Sequence, residues 1–239
     1  ADLARTECAQ PAIVAVECAL AELWRSWGIE PAAAIGHSIG ALAAAFAAGV
    51  LSLEDAVTLA AERGRLMASL PPGEMVRVRA TEEEVADVVR AFPEELAIAA
   101  VNGPAELVLS GSPRAVRAAI ETLETRSLRT RSLGATRAFH SPIVGPILPA
   151  LEEAVAARRL SAPRIELASD LTGRFEDPDL FLDPAYWSRH ARGTVRFGDG
   201  LAALHGRGYR HFVEVGPEAA RSALGKGAFP ESTWIATLR

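Results

Sequence analysis

The chain has 239 residues, of which 49% are hydrophobic and 23% charged, a balance typical of folded globular proteins and not of disordered ones. Its 25 Lys and Arg residues against 30 Asp and Glu residues give a net charge of −5, which excludes a general basic field for nucleic acid. Cys8 and Cys18 lack the spacing of a metal or redox motif, so the sequence predicts neither a metal site nor a disulfide framework.

The apolar segments of the chain are short. The longest uncharged apolar run covers residues 39–51, fewer than the ~20 residues that a membrane-spanning helix needs. No signal peptide opens the sequence, whereas a secretory leader would show a charged start followed by an apolar stretch. We therefore expect a cytoplasmic protein without a membrane partner.

The first part of the chain predicts a helix, a strand and two further helices. Residues 11–27 carry apolar side chains at helical spacing. Residues 31–36 are short and apolar between a proline and a glycine, which predicts a buried strand. Helices are expected over residues 39–48 and 52–70, the second with Ser52 as its N-cap.

A different pattern follows the Pro-Pro-Gly at residues 71–73. It predicts a strand, a helix, two strands, a helix and a strand, at residues 75–80, 81–92, 95–103, 106–112, 113–125 and 127–133. This βαββαβ order is that of a ferredoxin-like unit. We expect a small ferredoxin-like subdomain at residues 73–134, inserted between the two parts of a large α/β subdomain, residues 1–72 and 135–239.

Helices and strands alternate again after the small unit. The pattern predicts a helix at 143–158, a strand at 164–169, a helix near 195–206 and a strand at 211–216. Short buried strands separated by helices are typical of a mostly parallel sheet. The fold class expected is therefore α/β, with a central mostly parallel sheet.

Residues 36–40, Gly-His-Ser-Ile-Gly, fit the pattern G-x-S-x-G between a predicted strand and a predicted helix, which is the context of a nucleophile elbow. The glycines on either side of Ser38 indicate a turn too tight for side chains. The helix that begins at Ile39 would point its N-terminus at the serine oxygen, so the Ile39 amide can donate to a developing oxyanion. The alternative is that Ser38 only caps the helix.

A nucleophilic serine needs a base, and His140 is the favoured histidine. It lies in a loop where the small unit rejoins the large one, and such boundaries form the clefts that bind substrates. His37 is adjacent to Ser38, and neighbours in a sharp turn point apart, so it is expected behind the nucleophile. His205 and His211 flank a predicted strand and fit a surface position. The alternative is that His140 is a structural loop residue.

No acidic residue completes a Ser-acid-His order between Ser38 and His140, because Asp55 and Asp87 both fall on predicted helices. We therefore predict a Ser–His dyad in which a main-chain carbonyl holds the imidazole.

Six segments carry a resemblance that covers essentially the whole chain: TECAQPAIVAVECALAELWRSWGIEPAAAIGHSIG, AGVLSLEDAVTLAAERGRLM, AAVNGP, AFHSP, DPAYWSRH and FVEVGP. They resemble the acyltransferase domains of type I polyketide synthases and, more broadly, the malonyl-CoA:acyl-carrier-protein transacylases. The resemblance implies an α/β-hydrolase-like domain with a ferredoxin-like insert. It also implies a malonyl-CoA substrate, an acceptor phosphopantetheine on an acyl carrier protein domain, neighbouring polyketide synthase domains and no bound cofactor.

The resemblance assigns roles to single residues. It implies that Ser38 is the nucleophile and His140 the base, that Arg63 binds the free carboxylate of a malonyl group, and that Gln10 lies beside the oxyanion site. A backbone carbonyl near Leu180 or Phe181 would orient the imidazole of His140.

The resemblance implies that His37 and Phe139 bind the substrate together with Arg63. It also implies that Phe139 selects malonyl over methylmalonyl. Its Ala-Phe-His-Ser context resembles the malonyl type, because the ring would occupy the space of a C2 methyl. The alternative is a Phe139 that only packs the core.

Two departures from the family pattern stand out. Ala41 takes the place of an acidic residue or glutamine, and the family's N-terminal strand and Gly-Gln-Gly loop, a second oxyanion donor, have no counterpart in the sequence.

Three other functions remain open at this point. A serine hydrolase or thioesterase shares the elbow but normally has a third, acidic residue. A methylmalonyl-selective acyltransferase would have the same nucleophile, base and carboxylate-binding arginine and would differ only in its preference for methylmalonyl over malonyl. A non-enzymatic docking module would need only a basic face for an acidic carrier, with candidate residues Arg126, Arg129, Arg131 and Arg137.

Overall fold

Helices and short strands alternate along residues 2–238, the part of the chain that this computed structural model describes. The α-helices are α1 (Thr6–Ser26), α2 (Gly40–Ala48), α3 (Leu53–Ala68), α4 (Glu82–Arg90), α5 (Pro113–Thr125), α6 (Leu148–Ala156), α7 (Pro184–Arg192), α8 (Phe197–Gly206) and α9 (Ala220–Ala228). The strands are β1 (Ala33–Ile35), β2 (Glu74–Arg79), β3 (Leu96–Gly103), β4 (Glu106–Gly111), β5 (Arg129–Ser132), β6 (Glu166–Ser169), β7 (Arg174–Phe175), β8 (His211–Glu214) and β9 (Thr233–Ala236). Short 3₁₀ helices cover Asp2–Ala4, Pro142–Ile147 and Pro178–Leu182.

Local signals in the sequence set most helix ends. The hydroxyl of Ser52 accepts from the Asp55 amide at the start of α3, and Thr81 forms a complete capping box at the start of α4. Gly49 ends α2 with φ of 82°, a left-handed conformation that glycine adopts at little cost. These ends lie where the sequence predicted them.

The large part of the molecule contains the parallel strands. β1 pairs with β6 in parallel and β6 pairs with the short β7, while β8 pairs with β9 in parallel. The predicted α/β class is confirmed, and its parallel strands are divided between a three-stranded and a two-stranded sheet. Apolar side chains of β1 and β8, such as Ile35 and Phe212, pack against one shared cluster centred on α8.

Residues 74–132 form a four-stranded antiparallel sheet in the order β3-β4-β2-β5. Helices α4 and α5 cover one face and bury a separate apolar cluster that includes Val78, Leu107 and Leu123. The sheet order and the βαββαβ chain order are those of a ferredoxin-like unit. Division of the chain at residues 72–73 and 134–135 stays a prediction.

The small sheet is fixed to the large part through β3. Backbone hydrogen bonds join Val101 to Val195 and Val195 to Ala99, and the Thr194 hydroxyl donates to the Ile98 carbonyl at 2.7 Å. This junction lies directly after α7, so the segment that carries His190 and Gly193 is held between the two parts of the molecule.

Several elements differ from the sequence prediction. The predicted helix at 143–158 starts as a 3₁₀ turn because Pro142 and Pro146 interrupt the α-helical hydrogen-bond pattern. Helix α1 starts at Thr6, and Pro11 lies inside it although proline favours a first turn. The sequence analysis missed α7, α9, β7 and β9. Within residues 2–238, no helix combines the length and apolarity needed to cross a membrane.

Candidate functional site

Ser38 occupies a sharp turn between β1 and α2. Its φ is 54°, in the left-handed region that costs a non-glycine residue roughly 1–3 kcal/mol and is found at functional sites. The turn presents the Ser38 Oγ to the His140 Nε2 at 2.5 Å. The two residues are 102 positions apart in sequence, so the fold itself assembles this pair.

The two glycines of the elbow differ in what they tolerate. A Cβ on Gly36 would lie 2.3 Å from both the Cα and the N of Ala41, far inside van der Waals contact with backbone. A Cβ on Gly40 would meet nothing closer than the Glu17 carboxylate at 3.5 Å, which is ordinary contact. The expectation that both flanking positions exclude side chains is therefore correct for Gly36 and wrong for Gly40.

The backbone amides of the elbow have different partners. The Ser38 amide donates to the Asp170 Oδ2 at 2.8 Å. Among residues 2–238, no group accepts a hydrogen bond from the Ile39 amide, which lies at the N-terminal end of α2. An unpaired amide at a helix start attracts negative charge, and the oxyanion role of Ile39 stays a prediction.

His140 is buried, with 3% of its surface exposed, and its own φ is 54°. Its Nδ1 lies 2.9 Å from the Gly193 carbonyl. A carbonyl only accepts, so Nδ1 carries the proton and Nε2 presents its lone pair to Ser38. The main-chain carbonyl was predicted near Leu180 or Phe181, and this is wrong: the Phe181 carbonyl accepts instead from the Trp187 indole at 3.1 Å.

The protonation state of His140 follows from its surroundings. Burial and the nearby positive charge of Arg63 lower the pKa of His140 to about 3. The imidazole is therefore neutral at neutral pH. A neutral imidazole within hydrogen-bond distance of a serine hydroxyl has the geometry of a general base.

Arg63 brings a buried positive charge to the nucleophile. Its side chain is 6% exposed; one guanidinium nitrogen donates to the Gln10 Oε1 at 2.6 Å, and another lies 3.5 Å from the Ser38 Oγ. The Nε of Arg63 finds no acceptor among the described residues. Burial lowers the pKa of Arg63 to about 10, although the negative charge of Asp170 acts to raise it. The group stays charged at neutral pH, and no carboxylate among the described residues forms a direct ion pair with it.

Gln10 reaches Arg63 because α1 and α3 pack closely. A Cβ on Gly64 would lie 2.9 Å from the Thr6 carbonyl oxygen, which shows how near the two backbones come. The Gln10 amide nitrogen donates to the Thr6 hydroxyl at 2.7 Å, and its oxygen faces Arg63. Gln10 therefore positions the guanidinium, a contact the sequence analysis did not foresee, and its role beside the oxyanion stays a prediction.

A cavity of about 20 Å³ lies beside Ser38 and Arg63, room for roughly one water molecule. Its walls are mainly apolar and include Leu42, Leu59 and Trp187. Phe139 is not among its lining residues: it is half-buried against a cluster that contains Leu66 and Leu151. The selectivity role of Phe139 stays a prediction.

His37 points away from His140. Its Nε2 lies 2.8 Å from the Asn102 Oδ1 at the end of β3, and its ring packs edge-on against Phe197. Burial lowers the pKa of His37 to about 4. The predicted position behind the nucleophile fits these contacts, which tie the elbow to the small sheet.

Asp170 and His190 belong to the site and were missed by the sequence analysis. Asp170 directly follows β6, whose parallel pairing with β1 puts Asp170 beside the elbow. The sequence contained a signal for Asp170, because residues that follow adjacent parallel strands meet at the same edge of the sheet. The search for an acid covered only the residues between Ser38 and His140, and Asp170 comes after both.

Two of the four arginines expected to form a basic face are bound elsewhere. Arg126 forms a bidentate ion pair with Asp87. Arg137 donates to the backbone carbonyls of Ala68 and Thr136.

The strand register groups a different set of arginines. Arg77 lies opposite Arg131, and Arg79 lies opposite Arg129, on the exposed face of the sheet. We call these four residues the arginine face. Glu106 pairs with Arg77, whereas the other three have no acidic partner within the described residues. Like charges directly opposite each other are unfavourable, so the arrangement favours an anionic partner.

Residues 2–238 contain no group of three or more His, Cys, Asp and Glu side chains suited to a metal ion. The chemistry available at the site is that of a serine, a neutral histidine, a buried arginine and an amide at a helix start.

Comparison with known proteins connects this geometry to a family. The acyl transferase domain profile matches residues 1–233. The chain belongs to the acyl transferase domain family. The family predicted from the sequence is thereby confirmed, as is its enzyme class.

Polyketide synthases are among the relatives of this acyltransferase domain. It is 44% identical over 230 residues to the spectinabilin polyketide synthase system protein NorB of Streptomyces orinoci, covering 96% of this chain and 11% of that protein. It is 45% identical over 227 residues to the mycoketide-CoA synthase of Mycobacterium tuberculosis, covering 95% of this chain and 5% of that protein.

Solved structures share its fold. The acyltransferase domain from the second module of the salinomycin polyketide synthase matches with a TM-score of 0.95 and 43% identity, over 100% of this chain and 56% of that one. A malonyl CoA-acyl carrier protein transacylase from Clostridium perfringens matches with a TM-score of 0.92 at 24% identity, over 99% of this chain and 76% of that one. The chain thus spans little more than half of the salinomycin domain and a small part of the full synthases.

Proposed function

We propose that this acyltransferase domain transfers a malonyl group from malonyl-CoA, through an ester on Ser38, to the phosphopantetheine thiol of an acyl carrier protein in polyketide synthesis. The observation that carries the proposal is Arg63, a buried cation 3.5 Å from the Ser38 Oγ. The charge of Asp170 acts on it, but no carboxylate among residues 2–238 forms a direct ion pair with it. Buried charges in proteins are paired. An acyl group with a free carboxylate would supply the missing partner.

In the first half-reaction the Ser38 Oγ attacks the thioester carbonyl carbon of malonyl-CoA while the His140 Nε2 takes the hydroxyl proton. The negative oxygen of the tetrahedral intermediate accepts from the Ile39 amide. The C–S bond then breaks, and the CoA sulfur leaves with the proton held on His140. The products are the malonyl ester of Ser38 and free CoA.

In the second half-reaction the thiol of a carrier protein takes the place of CoA. His140 removes the thiol proton, the sulfur attacks the ester carbonyl, and the Ser38 oxygen leaves with that proton. Water competes for the same ester, so a narrow, mainly apolar space beside Ser38 favours transfer over hydrolysis. The relatives that are polyketide synthases support a carrier and further synthase domains as partners.

A hydrolase or thioesterase fits less well, because the imidazole of His140 is held by the Gly193 carbonyl and not by a carboxylate. The buried arginine also has no function with an uncharged acyl group. Malonyl is favoured over methylmalonyl by the sequence context of Phe139.

Intact-mass spectrometry after mixing the chain with malonyl-CoA tests the proposal. We expect a mass increase of one malonyl group, located at Ser38 by peptide mapping and absent in Ser38→Ala. Transfer of that group to added phosphopantetheinylated carrier protein, without release of free malonate, distinguishes transfer from hydrolysis. An adduct at another residue, or turnover to free malonate alone, contradicts the proposal.

Substitution of Arg63 tests the recognition of the carboxylate. Charged hydrogen bonds contribute about 1.5–3 kcal/mol each, so Arg63→Ala should reduce malonyl loading by at least tenfold and reduce acetyl loading much less. Gln10→Ala is the matched variant, since it removes the neutral partner of the guanidinium and leaves the charge. Equal losses for malonyl and acetyl in Arg63→Ala would mean that Arg63 is structural.

A further inference from the structure

Asp170 is a buried carboxylate next to the nucleophile with no part in the steps above. It is 1% exposed. Burial acts to raise its pKa, but the contact with His190 and the hydrogen bond from the Ser38 amide outweigh this, and the pKa of Asp170 stays below its ordinary value. The group is therefore an anion in the interior, where an anion is retained only with close partners.

The side-chain partners of Asp170 within the described residues are two. Its Oδ2 accepts a hydrogen bond from the Ser38 amide at 2.8 Å. Its Oδ1 lies 3.0 Å from the His190 Nε2, a contact at ion-pair distance that does not meet the geometry of a hydrogen bond. His190 is 5% exposed and its ring packs on Tyr186 and Trp187 in α7. The carboxylate thus lies between α7 and the backbone of the nucleophile.

The Ser38 amide belongs to the residue with the strained backbone. A left-handed φ at a non-glycine residue persists only where the surroundings hold it. The distance from the Ser38 Oγ to His140 depends directly on this conformation. The hydrogen bond from the Ser38 amide to Asp170 joins the strained residue to a side chain outside the elbow, and it is therefore one of the contacts that can hold this conformation.

We propose that Asp170, oriented by His190, is a positioning residue that holds Ser38 in its reactive conformation by accepting the hydrogen bond of the Ser38 amide. It differs from the acid of a Ser-His-Asp triad, because its partners are the nucleophile's backbone and His190, while His140 is oriented by Gly193. The inference rests on the proposed role of Ser38 as nucleophile.

Two substitutions of similar shape separate the hydrogen bond from the charge. Asp170→Asn keeps an oxygen that accepts from the Ser38 amide and places an NH₂ group toward His190 in place of the charged oxygen. Asp170→Leu has nearly the same shape but no acceptor. His190→Phe keeps the aromatic packing and removes the partner that orients the carboxylate.

The primary readout is the rate at which Ser38 reacts with a fluorophosphonate probe, because this chemistry needs an activated serine and no acyl group. We expect Asp170→Asn to stay within about fivefold of the wild type, since a neutral hydrogen bond replaces a charge-assisted one. We expect Asp170→Leu to lose about 100-fold, the effect of a nucleophile displaced by about 1 Å. With malonyl-CoA, the loss should fall on kcat and leave KM unchanged.

Circular dichroism and thermal melting establish that each variant is folded. Should Asp170→Leu fail to fold, Asp170→Ala and His190→Phe carry the same test, with a loss of labelling expected in both. The inference is overturned if Asp170→Leu labels like the wild type, if Asp170→Asn and Asp170→Leu lose labelling equally, or if only KM changes. A wild-type chain that takes the probe at Ser38 but never malonyl would instead contradict the proposed function.

Discussion

The two glycines of the elbow provide a matched pair of substitutions with opposite expected outcomes. In Gly36→Ala the new Cβ lies 2.3 Å from two backbone atoms of Ala41 and 2.6 Å from the carbonyl carbon of Gly40. Ordinary contacts of a Cβ begin near 3.4 Å, so the start of α2 must move by about 1 Å relative to β1. In Gly40→Ala the nearest atoms are the Glu17 carboxylate oxygens at 3.5 Å, and nothing has to move.

The magnitudes follow from these distances. Overpacking costs about 1–3 kcal/mol, and the upper end applies to Gly36→Ala because the clash is with backbone and not with a flexible side chain. For a chain of this size each kcal/mol shifts Tm by about 2–4 °C, so we expect a decrease of about 6–12 °C. A displacement of about 1 Å between Ser38 and His140 should also slow the reaction of Ser38 about 100-fold.

Gly40→Ala is expected to be neutral or stabilising. Gly40 is the first residue of α2, and alanine is favoured over glycine inside helices by up to about 1 kcal/mol. At a first helical position the gain is smaller, so Tm should stay level or rise by up to about 4 °C, with labelling of Ser38 unchanged.

Thermal denaturation by circular dichroism and fluorophosphonate labelling of Ser38 measure both effects on the same samples. Glycine at both flanking positions is part of the pattern that identified the elbow, and the structure assigns a steric reason to only one of them. A Gly36→Ala chain that melts and labels like the wild type, or a Gly40→Ala chain that loses labelling, would refute the reasoning.

Three further predictions concern the dyad, the selectivity and the partner. His140→Ala should slow acylation by about 10²–10⁴, the contribution of a positioned general base. Burial and Arg63 lower the pKa of His140 to about 3 in the free enzyme, so the wild-type kcat/KM, which reports the free enzyme, should be equal at pH 5.5 and 7.5. An ordinary histidine pKa of 6.5 would make it about tenfold lower at pH 5.5 than at pH 7.5. Phe139→Ser should narrow the malonyl/methylmalonyl ratio of kcat/KM by admitting methylmalonyl, since a C2 methyl no longer meets the ring; equal losses for both substrates would make Phe139 a core residue. The double variant R129E/R131E should raise KM for the carrier protein severalfold and leave acylation by malonyl-CoA unchanged. The control is R126E, which should change neither quantity. An unchanged KM in the double variant would mean that the arginine face does not bind the carrier protein.

Features encoded by neighbouring residues could be predicted from the sequence. The caps at Ser52 and Thr81, the left-handed end at Gly49 and the strand-turn-helix around Ser38 depend on residues within about four positions of one another, and the structure has all of them. The βαββαβ unit was also predictable, since each of its elements has a clear periodicity. Arg63 was identified as a site residue only through the resemblance, because its position on a predicted helix gives no sign that its side chain is buried.

Features that depend on distant packing could not be predicted in the same way. The contact between His140 and Gly193 spans 53 residues, and that between Ser38 and Asp170 spans 132. The first depends on α7, a helix that the sequence analysis missed and that ends just before Gly193, and the second depends on the pairing of β1 with β6. The carbonyl was therefore assigned to the wrong segment, and the strand-end carboxylate was sought in the wrong part of the chain.

The charge of Arg63 acts on the base His140, and in the proposed reaction it would also act on the substrate carboxylate. Its positive charge is one cause of the lowered pKa of His140, and a base is most effective when its pKa lies near the working pH. In the free enzyme the imidazole is therefore neutral but a weak proton acceptor. Under the proposed function, a malonyl carboxylate bound to the guanidinium would offset that positive charge, and this would raise the pKa of His140 when it must take the Ser38 proton. An acetyl group brings no such charge. On this proposal the arginine would favour malonyl in two ways, by binding its carboxylate and by strengthening the base only when that carboxylate is present.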